Sequence, residues 1–175
     1  MRALTLHRPW DEPVVGRPPD QNPIDAAKPV ENRGWPVPRK HLGATIAIHA
    51  GKHYSEDGRR FCKRVGFELL RVGDSERWRA GRVVGTVRVV GCIQAREHSD
   101  PDIAASPKIM FGLGGVHVDF DAVWFFGPYG WLFDSAVALP RPVECRGRQG
   151  LWTLPATVDA EVRRQLQEVS NAEGD

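Results

Sequence analysis

Cysteine is scarce in this 175-residue chain, and Cys62, Cys92 and Cys145 are odd in number, far apart and never spaced C-x-x-C. That pattern speaks against a disulfide framework and against a zinc site, so reduced thiols and no metal are expected. Long apolar runs are missing too: nothing approaches the ~20 residues of a membrane-spanning helix. Ala3-Leu4-Thr5-Leu6 before Arg8-Pro9-Trp10 is too short for a secretory leader. A cytoplasmic chain with no membrane partner is the expectation. Lysine is the other shortage, with 5 Lys against 19 Arg. The guanidinium fork suits bidentate phosphate contacts and stacking on rings, although an arginine bias also arises from genomic composition alone.

With 41% hydrophobic and 26% charged residues the chain has the make-up of one globular domain able to bury its own core. The net charge of +2 conceals an asymmetry. Residues 159–175 hold five acids and two bases, so residues 1–158 carry +5. A basic body is compatible with nucleic acid as partner.

Ala3 to His7 reads as an opening strand. From Asp11 to Pro29 five prolines forbid a long helix and predict a surface loop with one turn near Ile24 to Ala27. Val30 to Arg33 and Ala44 to Ala50 read as strands, the latter ended by Gly51. Ser55 caps a helix carrying Phe61, Val65 and Leu69, closed by Gly73. Val83 to Ile93 is the longest strand candidate, its interior glycines suiting a bent strand. Residues 94–116 read as a long excursion able to act as a lid. Trp124 to Phe126, Trp131 to Leu139, Val143 to Cys145 and Leu151 to Leu154 supply further strands. Val158, Val162, Leu166 and Val169 form the apolar stripe of a C-terminal helix capped by Thr157. The expected fold class is α+β, mostly antiparallel, with residues 1–156 as the domain and 157–175 as a helix and acidic tail on it or trailing it.

Three pieces in this order resemble the ASCH domain of the PUA-like superfamily. Leu4-Thr5-Leu6-His7-Arg8-Pro9-Trp10 is similar to that family's opening strand. Lys28-Pro29-Val30-Glu31-Asn32-Arg33 fits the signature G-x-K-x-x-E-x-R at Lys28, Glu31 and Arg33, with Ala26 where the signature has glycine, and Ile48-His49-Ala50-Gly51-Lys52 follows in a form common there. Gly147-Arg148-Gln149-Gly150-Leu151-Trp152 looks like the closing turn and strand. The resemblance implies a PUA-like β-barrel with flanking helices and a cleft beside the signature that binds RNA, DNA or a nucleotide-derived base. It also implies an alternative, since some members are amidohydrolases on N4-acylated cytidines and others are linked to ribonuclease activity. In the amidohydrolase branch the position of Glu31 is typically threonine, so that mechanism does not transfer directly.

The residues carry a matching chemistry. Glu31 and Arg33 are two apart and share a strand face, and Lys28 precedes them. A carboxylate accepts from an exocyclic base amine, and Arg or Lys holds a phosphate or carbonyl oxygen; the same trio also suits a structural ion pair. In a metal-independent hydrolase, Lys28 and Glu31 would be the catalytic pair. The expected ligand-binding set is Arg8, Trp10, Lys28, Glu31, Arg33, His49, Lys52, Tyr129 and Arg148. For His49 and Trp10 a packing role stands beside the binding role, and Tyr129 with Arg148 suggests a stacking platform edged by a cation. His117, Asp119 and Asp121 share a strand face better read as merely polar than as a metal site. No cofactor is expected, and the chain is expected to be a monomer whose partner is RNA, DNA, a nucleotide or a nucleoside.

Overall fold

The computed structural model describes residues 1–18, 23–95, 108–113 and 122–172. The chain is α+β. Its strands are β1 (Arg2–Arg8), β2 (Val30–Arg33), β3 (Thr45–Tyr54), β4 (Arg82–Gln94), β5 (Lys108–Gly112), β6 (Tyr129–Glu144) and β7 (Leu151–Thr153). Its helices are α1 (Asp11–Val15), α2 (Glu56–Arg64), α3 (Val72–Arg79) and α4 (Ala156–Ala172). Six strands are hydrogen-bonded in the order β2-β6-β4-β3-β1-β7, and β5 pairs with β4. The sheet is mixed: β1 runs parallel to β3, whereas β1 with β7, β2 with β6 and β4 with β5 are antiparallel. Among the described residues the path has two ends, β2 and β7, and does not close. No helix among the described residues is long and apolar enough to cross a membrane.

Two compact units divide the chain. The first comprises Met1–Ala27, Thr45–Val87 and Ser135–Asp175, the second Lys28–Ala44 and Arg88–Asp134. Two of the boundaries fall inside β4 and β6, where no linker composition marks them.

The core of the first unit gathers Ala3, Ala47, Val83, Leu139, Trp152, Leu154 and Val162, with Val158 and Leu166 of the α4 stripe packed against it. Gln165, buried on the same helix, repairs a gap in β6. Pro140 and Pro142 have no N–H to donate. Between them, Arg141 N donates to Gln165 Oε1 and Gln165 Nε2 donates to Arg141 O, both at 2.9 Å. One side-chain amide thus plays the part of a neighbouring strand, and β6 continues through a Pro-Arg-Pro segment that reads as a break.

Several expectations need correction. The segment after Trp10 is not a surface loop at its start: α1 occupies Asp11–Val15 and all five residues are buried. Pro13 is tolerated because a helix needs no N–H from its first turn. β3 does not stop at Gly51 but runs on to Tyr54. Ser55 does cap α2, its Oγ accepting from Gly58 N at 3.0 Å. That helix ends at Arg64, before Gly66 with φ +80°, so Leu69 is not on it. Gly73 lies inside α3, a helix not anticipated. Residues 122–124 form a 3-10 turn where a strand was expected, and Thr157 is the second residue of α4. Within the 94–116 excursion, residues 108–112 form β5, while 96–107 and the trio His117, Asp119 and Asp121 lie outside the described residues.

Replacing Gln165 by leucine leaves the Arg141 N–H and C=O without their partner. We expect a loss of about 1–3 kcal/mol, read as a lower urea midpoint with an unchanged slope.

Candidate functional site

In the second unit, β2 pairs with β6 in a register that sets Glu31 opposite Trp131 and Arg33 opposite Tyr129. Directly opposed residues of an antiparallel pair point to the same face, so these four side chains share one. Lys28, 1% exposed, reaches Glu31 from outside the strand, Nζ donating to Oε2 at 2.5 Å. The other carboxylate oxygen lies 3.6 Å from Arg33 Nη1. Glu31 therefore stands between two cations, one buried and one partly exposed.

Arg33 turns its guanidinium over the indole of Trp35, 4.4 Å from the ring centroid. Trp35 meets Trp131 edge-on at 6.2 Å and accepts Trp131 Nε1–H on its backbone oxygen at 3.0 Å. The indole remains 40% exposed. Asn32, on the opposite face of β2, ties down the following turn: its Oδ1 accepts from Phe126 N and Gly127 N at 2.9 and 3.0 Å, and its Nδ2 donates to Trp124 O at 2.8 Å. Close packing of β2 on β6 requires Gly130, where a Cβ would lie 2.7 Å from Val30 and Ile93 side-chain atoms.

The remaining expected residues, Arg8, Trp10, His49, Lys52 and Arg148, belong to the first unit. Arg8 is 1% exposed and engaged, with Nε donating to Gly51 O at 2.9 Å, Nη2 to Lys52 O at 2.6 Å and a short contact to Glu76. It fastens the end of β1 to the end of β3. Trp10 packs against Phe61 and against Gly58, where a Cβ would lie 2.9 Å from the indole. His49 is a wall residue: its Nε2 donates to Cys145 O at 2.9 Å, its ring meets Trp152 edge-on, and Gly147 lies close enough that a Cβ would overlap the imidazole. Burial lowers the His49 pKa below the usual histidine value, favouring the neutral ring. Lys52 and Arg148 are exposed. The structure thus brings Lys28, Glu31, Arg33 and Tyr129 together in one unit and gives Arg8, Trp10 and His49 packing duties in the other.

Two features escaped the sequence reading. Trp35, flanked by Gly34 and Pro36, reads only as part of a turn; its signal was an aromatic two residues beyond an arginine. The second is a buried charge cluster in the first unit. Arg79 donates from Nε to Asp11 Oδ2 at 2.6 Å, and both side chains are fully buried. Glu12, also fully buried, accepts from Leu70 N at 3.0 Å and lies 4.0 Å from Arg17 Nε. Desolvation, reinforced by Asp11, raises the Glu12 pKa to about 7 against the opposing pull of Arg79, the Leu70 N–H and Arg17.

Two predictions follow from these pairs. Glu31→Ala takes from the buried Lys28 ammonium its 2.5 Å carboxylate partner and is expected to cost about 3–5 kcal/mol of stability, whereas the double change Lys28→Met with Glu31→Leu recovers most of it; urea unfolding of the three proteins measures both. For Glu12, the folded form keeps a proton that the unfolded chain releases above about 4.5, the ordinary value. Its contribution to stability is therefore full below that pH and falls as pH rises to about 7, by roughly 3 kcal/mol. Glu12→Gln is expected to flatten that slope in unfolding curves taken between pH 4.5 and 8.

Compared with known proteins, the chain matches no protein-family model and no curated protein sequence.

Proposed function

We propose that the face carrying Glu31, Arg33 and Trp35 recognises a base of RNA or DNA, or a free nucleobase derivative. The observation that carries this reading is the Arg33 guanidinium stacked on a half-exposed indole beside a carboxylate. A base extends such a stack, since every base offers a π-face and an arginine plane stacks as an aromatic ring does. The Arg33 side chain is 16% exposed, so the exposed edge of its guanidinium is what would meet a carbonyl or phosphate oxygen. Glu31 supplies acceptor capacity for an exocyclic amine, and Tyr129 flanks Arg33 on the neighbouring strand. The resemblance of Lys28, Glu31 and Arg33 to the ASCH signature supports the same reading, and with it a PUA-like barrel.

Recognition is favoured over hydrolysis by the position of Lys28. A general base or nucleophile must reach its substrate, and this side chain is 1% exposed and committed to Glu31 at 2.5 Å. Its work in this reading is to hold the carboxylate in place, while Arg33 and Trp35 meet the ligand.

Fluorescence titration with single- and double-stranded RNA and DNA, free nucleosides and N4-acetylcytidine, at two salt concentrations, tests the proposal. Binding is expected, with Trp35→Ala weakening it by roughly 5- to 150-fold, the worth of one stacked base at ~1–3 kcal/mol. Affinity for a polymer is expected to fall steeply with salt as counterions are released. Unchanged affinity of Trp35→Ala for every ligand that binds removes the site, and new product from N4-acetylcytidine or from RNA replaces recognition by hydrolysis.

A further inference from the structure

The first unit contains a groove of about 550 Å³ between α2 and the segment that leads into α3. Arg59 and Lys63 of α2 and Arg71 of the segment stand on it, all exposed, and Phe67, Leu69 and Leu70 give it an apolar floor. Arg59 shares its charge with Glu56 at 2.8 Å. Glu68 is the one acidic residue of the lining. Cations therefore outnumber acids three to one around an apolar floor.

The floor is held from beneath by buried charges that have no part in the base-recognition face. Glu12 Oε2 accepts from Leu70 N at 3.0 Å, and Arg17 Nη2 donates to Glu68 O at 2.9 Å. Glu12 and Arg17 both come from the α1 region, and both side chains are almost wholly buried. Burying a carboxylate and a guanidinium is costly unless their hydrogen bonds are used well. Here they are spent on two backbone groups of an irregular segment without helix or strand of its own. The result is a loop pre-shaped before any ligand arrives, the condition under which binding loses least to ordering.

We infer that this groove binds a phosphate ester bearing a flat aromatic body, the phosphate between Lys63 and Arg71 and the ring on Phe67, Leu69 and Leu70. Charge complementarity selects the anion, and the apolar floor separates it from inorganic phosphate. A free nucleotide and the phosphorylated end of a single-stranded oligonucleotide both have this chemistry. The inference stands apart from the Trp35 site, because it rests on different residues and neither requires the other.

Backbone amide NMR shifts distinguish the cases. Adenosine monophosphate is expected to move the resonances of residues 66–72 and to saturate, with inorganic phosphate and adenosine each at least tenfold weaker. Lys63→Glu with Arg71→Glu is expected to weaken binding at least tenfold without altering the rest of the spectrum, and Trp35→Ala is expected to leave it intact. Lys63→Gln, a milder change, is expected to show a smaller loss in the same direction. A 5′-phosphorylated pentanucleotide in parallel identifies the source: tighter binding than the mononucleotide assigns the groove to a nucleic-acid end, equal or weaker binding to a free nucleotide. Unmoved 66–72 resonances with both phosphate esters, or equal affinity in the doubly reversed variant, overturn the inference while leaving the Trp35 reading to its own titration.

Discussion

Charge taken out of water governs this structure. Lys28, Arg8, Asp11, Glu12, Arg17 and Arg79 are all almost fully buried, and each is an expense that has to be met by a partner at hydrogen-bond distance. The ways they meet it define the architecture. Arg79 on Asp11 connects α3 to α1, Arg8 connects the end of β1 to the last turns of β3, and Glu12 with Arg17 connects α1 to the loop before α3. These elements are thus joined by buried charged side chains that hydrogen-bond to backbone groups and, in Arg79 and Asp11, to each other. Such links fix position more than they add net stability, because desolvation consumes much of the Coulombic gain.

Close approach is the second requirement, and glycine supplies it. At Gly85 a Cβ would lie 2.6 Å from Val137 O and 2.8 Å from the Val15 side chain, so α1 can be buried against β4 only where no side chain intervenes. Gly147 does the same for the His49 ring. Gly85, which reads as an interruption of β4, is therefore a place where another element comes in.

Local pattern determined what could be read in advance. β2 was legible to the residue, from Val30 to Arg33, because Pro29 and Gly34 punctuate it on either side. The α4 stripe was legible because Val158, Val162 and Leu166 recur at helical spacing. α3 was not, since Val72-Gly73-Asp74-Ser75 places a glycine where a helix is expected to stop and its apolar residues follow no stripe. The candidate trio was legible through its resemblance to a K-x-x-E-x-R signature; its spacing, two residues on a strand and one before it, suited a structural ion pair equally. Trp35, the most exposed aromatic beside that trio, was hidden in a turn. The Asp11–Arg79 pair spans 68 residues, a separation at which no periodicity informs.

The division of labour among three neighbouring charges follows from exposure. Lys28 is a compact ammonium on a long stem, and buried against Glu31 it orients a carboxylate without touching solvent. Arg33 presents a plane instead of a point, so one side can lie on Trp35 while its edge still offers donors. Exchanging the two would fail in both places: a guanidinium in the Lys28 position would bring more donors than one carboxylate can satisfy, and an ammonium over Trp35 would lose the flat contact that a guanidinium plane makes with the indole. The order Lys28, Glu31, Arg33 therefore runs from a buried ammonium through a nearly buried carboxylate to a partly exposed guanidinium plane, a gradient from interior to surface set by what each group can do without water.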